Sequence, residues 1–266
     1  MECLKVSIIT TSYNQARFIE KTIRSVKEQN YPDIEHIIID GVSTDRTIEI
    51  LRRYNHLTWI SEPDKGQSDA LNKGLKRVNG DIIGILNSDD LYKPKIIPLV
   101  VEEFQINPDL DLIYGDCDYI NENDEVLFTY KAPSFNFKQL ITCCYNYIPP
   151  MSAFFRKRVL DMIGLFDPNL NYTMDHDFFI RAGLKCNIRK VNYVLGSFRI
   201  HDTSKTKTNI LKMRGESYEI SKRYGGGRYL SLYFNWIRSI LLLHNPKIVT
   251  ILRRIKYKYY SKKQKW

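Results

Sequence analysis

Acidic residues stop at Glu219. Of the 40 Lys and Arg and 30 Asp and Glu in the 266 residues, the last 47 residues hold 12 basic and no acidic ones. Residues 1–219 therefore keep 28 basic against 30 acidic, a net of −2, and the whole of the chain's formal +10 belongs to its end. A protein basic throughout is excluded, and no nucleic-acid recognition motif is present, so no nucleic-acid partner is expected. Cysteine is scarce and odd in number: Cys3, Cys117, Cys143, Cys144 and Cys186, with no CxxC pair. This excludes a disulfide scaffold and offers no zinc spacing; reduced, buried thiols are expected. Long apolar runs are also missing. Tyr229–Leu243, the longest, is broken by Asn235 and Arg238. It falls short of the about 20 apolar residues that a membrane span needs, so no transmembrane helix is expected. The opening Met-Glu-Cys-Leu-Lys runs straight into Val6–Thr10 with no charged segment followed by an apolar one, and no signal peptide is expected.

What is present is an alternation of short apolar runs with helical patterns. Leu4–Thr10, Ile34–Asp40, Leu57–Ser61 and Asp81–Leu86 read as strands. Gln15–Gln29, Thr44–Tyr54 and Gly66–Val78 read as helices; Phe18, Ile19, Thr22, Ile23 and Val26 share one face of the first, and Ser43 would cap the second. The order β-α-β-α-β-α-β predicts an α/β fold, a mostly parallel central sheet with helices on both faces. Ligands of such sheets bind outside the carboxyl ends of the strands. Weight therefore falls on Thr11–Asn14, Asp40–Ser43, Ser61–Asp64 and Asn87–Asp90. The second half reads as a helix at Pro94–Asn107, a hairpin of Asp111–Ile120 with Glu125–Tyr130, and a strand at Ser152–Phe155. A helix at Arg156–Ile163, a helix at Met174–Ala182 capped by Thr173 and stopped by Gly183, and a strand at Ile188–Ser197 follow. Gly225-Gly226-Gly227 predicts a flexible boundary. It divides a domain at 1–224, with halves 1–92 and 93–224, from a basic tail at 225–266.

The acidic pair Asp89-Asp90 after the fourth strand is the sharpest chemical signal. Alone, Asn87-Ser88-Asp89-Asp90 is good turn chemistry. At the active edge of a sheet, two adjacent carboxylates suit a hard cation such as Mg²⁺ or Mn²⁺, which completes its shell with phosphate and water.

At this point ordered motifs accumulate. VSIITTSYN (6–14), IIIDGVSTDRT (37–47), EPDKGQSDALNKG (62–74), LNSDD (86–90), YIPPMSAFFR (147–156), GLFD (164–167), MDHDFFIR (174–181) and FRIHDTSK (198–205) together resemble family 2 glycosyltransferases over roughly residues 4–210. These are inverting, nucleotide-sugar-dependent enzymes with the Rossmann-like GT-A fold. The resemblance implies that Thr11 and Tyr13 contact the nucleotide base and that Asp40 accepts a base N–H, with Asp64 a further base or ribose contact. Lys65 could reach a phosphate. It implies Asp90 as metal ligand, Asp89 on ribose or metal, His201 on metal or diphosphate, and a divalent metal, Mn²⁺ or Mg²⁺, as cofactor. It implies Asp175 as the general base, a role that needs a carboxylate opposite the leaving group. Asp177 and Arg181 are spaced i,i+4 and read as a structural ion pair. The aromatic stretch Tyr145–Phe155 is expected on the acceptor side. Three positions depart from the family pattern: Asn87 and Met174 stand where acidic residues are common, and Asp40-Gly41-Val42-Ser43 has one acidic residue fewer.

The resemblance leaves the tail uncovered. Tyr229–Leu243 has a polar stripe of Ser231, Asn235, Arg238 and Ser239. After Asn245-Pro246 comes an apolar stripe of Ile248, Leu252, Ile255 and Tyr259 flanked by Arg253, Arg254, Lys256 and Lys258. A basic amphipathic helix suits an anionic membrane surface; packing of the first helix on the domain is the structural alternative. The expected activity is transfer of a sugar, most simply from a UDP-sugar, to a glycan or lipid-linked acceptor in cell-surface polysaccharide synthesis. The expected place is the cytoplasm, peripheral at the inner face of the plasma membrane. A catalytically silent nucleotide-sugar-binding module is the alternative. A sugar-1-phosphate nucleotidyltransferase would need a Gly-rich loop after the first strand, and Thr11-Ser12-Tyr13-Asn14 is not one.

Overall fold

In the computed structural model, residues 4–204 and 208–244 are described, with side chains as far as Ile237. Val6–Thr10 and His36–Asp40 are buried along their whole length, as strands covered on both faces must be. They belong to β1 (Val6–Ser12) and β2 (Ile34–Asp40). With β3 (Leu57–Ser61) and β4 (Ile82–Ile85) these pair in parallel in the order 3-2-1-4. The connections are α1 (Ile19–Lys27), α2 (Thr47–Leu51) and α3 (Gln67–Leu75). Beyond β4 the sheet continues through β8 (Ala153–Arg156), β6 (Leu112–Ile120), β9 (Ile188–Arg199) and the two-residue β5 (Leu91–Tyr92). The hairpin strand β7 (Val126–Tyr130) pairs with the far end of β6. Strand β8 is antiparallel to both β4 and β6, and β9 is parallel to β6. The mostly parallel α/β sheet is thus the one expected.

Alternation along the strands divides the core. Ile9, Ile37 and Ile39 face α3 and α7 (Met174–Lys185), packing with Leu71, Leu75 and Phe178. Val6 and Ile8 face α4 (Ile96–Ile106) through Ile97, Val100 and Phe104. Ile38 meets Ile19, Ile23 and Leu51 of α1 and α2. Each such side chain contributes about 1.5–3 kcal/mol by leaving water. The second half adds α5 (Phe137–Leu140), α6 (Arg158–Ile163), α8 (Ile210–Arg223) and α9 (Leu230–His244).

Helix starts differ from the expectation for one local reason. The N–H groups of Asn14, Gln15 and Ala16 donate to Ser43 Oγ, Thr47 Oγ1 and Asp45 Oδ2 at 2.8–2.9 Å. That ties the end of β1 to the loop after β2 and delays α1 to Ile19. Ser43 does not cap α2, because its N–H and hydroxyl both donate to Asp40. Helix α7 runs through Gly183, which is small because Phe135 and Phe137 lie where its side chain would be.

The three glycines are a packed turn. Gly225 is left-handed (φ 88°), and Gly226 is buried against the carbonyls of Ile141 and Ser221, closer than any Cβ allows. Helix α9 folds back onto the domain: Leu232 is fully buried and Asn235 Nδ2 donates to the Thr142 carbonyl at 2.8 Å. The boundary expected at 224/225 is therefore no free hinge as far as His244. The second amphipathic stripe, Ile248–Tyr259, and the lysines after it lie outside the described residues. Among the described residues no helix is long and apolar enough to cross a membrane.

Candidate active site

The strand order reverses between β1 and β4, so a crevice opens at their carboxyl ends. A cleft of about 510 Å³ lies there, within the size range of small-ligand sites. Its first-half wall is Thr11–Tyr13 after β1, Asp64 and Gln67 around the start of α3, and Asn87–Asp89 after β4. Its second-half wall is Pro150, Met151 and Phe155, then Met174 and Asp175 opening α7, with Phe198 and His201 from the end of β9. Asp64, Asp89 and Asp175 all face this space, and among the described residues no Lys or Arg lines it. Lys65 is exposed and outside the lining, and Lys205 is outside the described residues.

Tyr13 stands at the rim with 60% of its surface exposed, a free aromatic face. Asn14 fixes the neighbouring loop: its Oδ1 accepts from the Thr44 N–H at 2.8 Å. Gly41 sits between the two side chains expected to hold a base. A Cβ there would lie 2.6 Å from Asp64 Oδ2 and 3.6 Å from the Tyr13 ring. Asp64 is steadied by the Gly66 N–H, 2.8 Å from Oδ1. Asp40, expected to accept a base N–H, is enclosed by the loop that follows it. It is fully buried and accepts from the Ser43 N–H at 2.9 Å, the Ser43 hydroxyl and the Ser61 hydroxyl at 2.7 Å. Its lone pairs hold the loop in shape, and Asp64 is the carboxylate of the two that reaches the cleft.

The acidic pair divides in the same way. Asp90 is fully buried; Oδ1 accepts from the Arg199 N–H at 2.9 Å and Oδ2 from Asn87 Nδ2 at 3.0 Å. Burial, and next the Asp89 carboxylate beside it, push the Asp90 carboxyl well above the usual range. Asp90, expected as metal ligand, thus has both carboxylate oxygens held by protein donors. Asp89 faces the cleft, with Oδ2 2.8 Å from His201 Nε2, while His201 Nδ1 lies 2.9 Å from Thr203 Oγ1. Asn87 bridges the two halves of the loop, accepting from Gln67 Nε2 at 2.9 Å while donating to Asp90. An aspartate in its place would set a second carboxylate against a buried one.

Among the described residues no three His, Cys, Asp or Glu are grouped as a cation cage. The Asp89–His201 pair is a sparser donor set, and it fits a divalent ion that takes its remaining ligands from phosphate and water. Arg199 organises this corner. It is fully buried, donates from Nε to the Asp89 carbonyl at 2.7 Å, pairs with Asp124, and lies over the Phe18 ring at 4.9 Å.

Asp175 stands in the first turn of α7 and lines the same cleft. Asn146 Nδ2 donates to its Oδ2 at 2.8 Å and to the Ile148 carbonyl at 2.8 Å. Burial raises the Asp175 carboxyl above its ordinary value, and the Asn146 hydrogen bond partly offsets this. Asp177 is buried away from the cleft, pairing with Arg181 Nε at 2.7 Å as expected and accepting from the Tyr224 hydroxyl at 2.8 Å. Glu216 of α8 holds the segment before Asp175. Its carboxylate accepts from the N–H groups of Asn171, Tyr172 and Thr173 at 3.0, 2.9 and 2.7 Å. The roles of Asn146, Arg199 and Glu216 were not signalled by the sequence. The bonds to Asp175, Asp89 and Tyr172 span 29, 110 and 44 residues, and Glu216 sits on a helix that no motif announced.

Residues 7–164 match the family described as Glycosyl transferase family 2. An uncharacterized glycosyltransferase of Mycobacterium tuberculosis is 30% identical over 199 residues, spanning 73% of this chain and 74% of that one. Among solved structures, S. aureus TarS aligns with a TM-score of 0.63 at 19% identity over 83% of this chain, which spans 39% of the TarS chain; its 1–349 fragment is known with UDP-GlcNAc. The mannosyltransferase PcManGT from Pyrobaculum calidifontis, in complex with GDP-Man and Mn²⁺, aligns with a TM-score of 0.63 at 16% identity over 100% of this chain and 84% of its own. At such identities the structural likeness speaks for the fold alone, the GT-A arrangement. With the family match covering more than half its length and a relative aligned over most of both sequences, this chain belongs to glycosyl transferase family 2.

Proposed function

We propose that the chain transfers a sugar, with inversion, from a nucleotide diphosphate sugar to a hydroxyl of a glycan or lipid-linked acceptor in cell-surface polysaccharide synthesis. The observation that carries this is the cleft itself. Asp175 lines one cleft together with Tyr13, Asp64 and the Asp89–His201 pair. Thr11, Tyr13 and Asp64 hold the nucleoside, Tyr13 by stacking. A UDP-sugar is the simplest donor, consistent with the UDP-GlcNAc bound by the TarS fragment. Asp89 and His201 would hold a divalent cation, Mn²⁺ or Mg²⁺, which when bound neutralises charge on the departing diphosphate. The acidic lining, with no described cationic side chain, supports that need.

Asp175 takes the proton from the acceptor hydroxyl as its oxygen bonds to the anomeric carbon and the diphosphate leaves with the bonding pair. Asn146 holds Oδ2 and the His176 N–H, 2.9 Å from Oδ1, holds the other oxygen, so the carboxylate is fixed in place. Pro150, Met151 and Phe155 form the apolar wall against which an acceptor ring can rest. The reaction belongs at the cytoplasmic face of the membrane, a reading supported by the buried free thiols of Cys117, Cys143 and Cys144.

The test is Asp175→Asn. Turnover with a nucleotide-sugar panel should fall about a hundredfold or more, while donor binding, read by thermal shift with and without Mn²⁺, is retained. Turnover near wild type would remove Asp175 as base. Donor binding with no turnover in the wild-type chain, for any donor and acceptor, would leave a nucleotide-sugar-binding module.

A further inference from the structure

Helix α9 packs on the domain through a mixed face. Asn235, one of the polar positions of the stripe, donates to the Thr142 carbonyl, Leu232 is fully buried, and Trp236 packs on Tyr218 of α8 at 5.0 Å between ring centroids. An apolar stripe faces out. Leu230 is 75% exposed, Phe234 69% and Ile237 49%, with Tyr233 beside them. The spacing i, i+4, i+7 makes these one continuous stripe. An exposed, continuous apolar stripe of this kind has a partner to meet.

Charge identifies that partner. Residues 220–266, which include this helix, contain 12 Lys or Arg and no Asp or Glu. A second copy of the chain would bring two such segments together and be repelled. An anionic surface that also accepts apolar side chains is complementary to both features. We propose that the outward face of α9 is the docking surface for an anionic lipid bilayer, with Leu230, Phe234 and Ile237 entering the headgroup layer. The docking face is coupled to the acceptor wall. Cys144 Sγ donates to the Leu232 carbonyl at 3.4 Å, and Asn146, two residues further on, grips Asp175. A bilayer under α9 therefore lies on the half of the molecule proposed to take the acceptor.

The experiment is sedimentation of the full chain with phosphatidylcholine vesicles, with and without phosphatidylglycerol. Binding is expected only to the vesicles that contain phosphatidylglycerol, and to weaken with salt. Phe234→Asp with Ile237→Asp should reduce binding roughly tenfold or more, and Phe234→Leu with Ile237→Leu should restore it. Both side chains are exposed, so circular dichroism and donor thermal shift should be unchanged, which separates this test from that of the glycosyl-transfer reading. Three results would each overturn the proposal: equal binding by the Asp variant, no binding to phosphatidylglycerol vesicles, or a wild-type dimer that the same substitutions dissociate.

Discussion

Gly41 shows how much one missing side chain decides. Any Cβ there would meet Asp64 Oδ2 at 2.6 Å, so Gly41→Ala should push Asp64 from the nucleoside slot. A loss of about tenfold in donor affinity, or 1.4 kcal/mol, with an unchanged melting temperature, is expected by calorimetric titration. Asp175 brings a pH dependence whose sign follows from its burial. Because its carboxyl is raised, a larger fraction is protonated as pH falls, and the protonated form cannot act as base. The acidic limb of kcat/KM should sit above the ordinary carboxylate range of about 4, and it should disappear from the residual activity of Asp175→Asn. The two adjacent aspartates carry a different lesson. Asp89 and Asp90 are equivalent in sequence, yet one faces the cleft and the other lies beneath Arg199. Their order in the chain holds no information about which side of the loop is open.

At the scale of elements, α7 and α8 form one unit. The N-terminus of α7 is a positive dipole end, and the carboxylate of Glu216 of α8 accepts from the segment before it. Glu216→Ala should cost about 2–3 kcal/mol through the donors left without a partner, visible as a lower melting temperature. It should also lower kcat more than donor affinity, because the segment it holds leads into Asp175 and not into the nucleoside slot. Strands and most helices were legible in the sequence, since burial on both faces demands runs such as Val6–Thr10 and a one-faced helix demands the spacing seen in α1. Strand β5 was not, being two residues at the edge held by β9. Helix α8 was hidden for another reason: its buried residues are few, Ser217, Ile220 and Ser221, and two of them are polar.

At the scale of the whole molecule, acid should unfold this protein through its interior histidines. His36, on β2, and His176, on α7, are depressed to about 3 and about 4, burial being the main cause in both. Each ring has one nitrogen bonded, to Thr10 Oγ1 at 2.9 Å and to the Leu140 carbonyl at 3.0 Å, and neither has room to be charged. Above pH 6.5 both folded and unfolded chains hold these rings neutral. Below it the unfolded chain takes up protons that the folded one refuses, so stability falls as pH drops towards 4 and 3. Each ring contributes a slope of up to about 1.4 kcal/mol per pH unit. Asp175 acts with the opposite sign, its raised carboxyl favouring the folded state as it protonates. Denaturant melts of His36→Gln against wild type between pH 7 and pH 5 isolate the histidine part; the variant should be the less pH-sensitive of the two.

The sequence by itself determined the alternation of strands and helices, the carboxyl edge at which chemistry collects, the family, and the separation of a near-neutral body from a basic end. These follow from local rules of burial period, turn residues and charge count, which a chain carries wherever it goes. Only the tertiary structure decided which carboxylates face the cleft and which are enclosed. It took Asp40 and Asp90 into the loops they shape and left Asp64, Asp89 and Asp175 facing the cleft. It also turned the three glycines into a packed corner and left an apolar stripe of α9 exposed. Such outcomes depend on partners tens of residues away, and a side chain's exposure is set by what arrives to cover it.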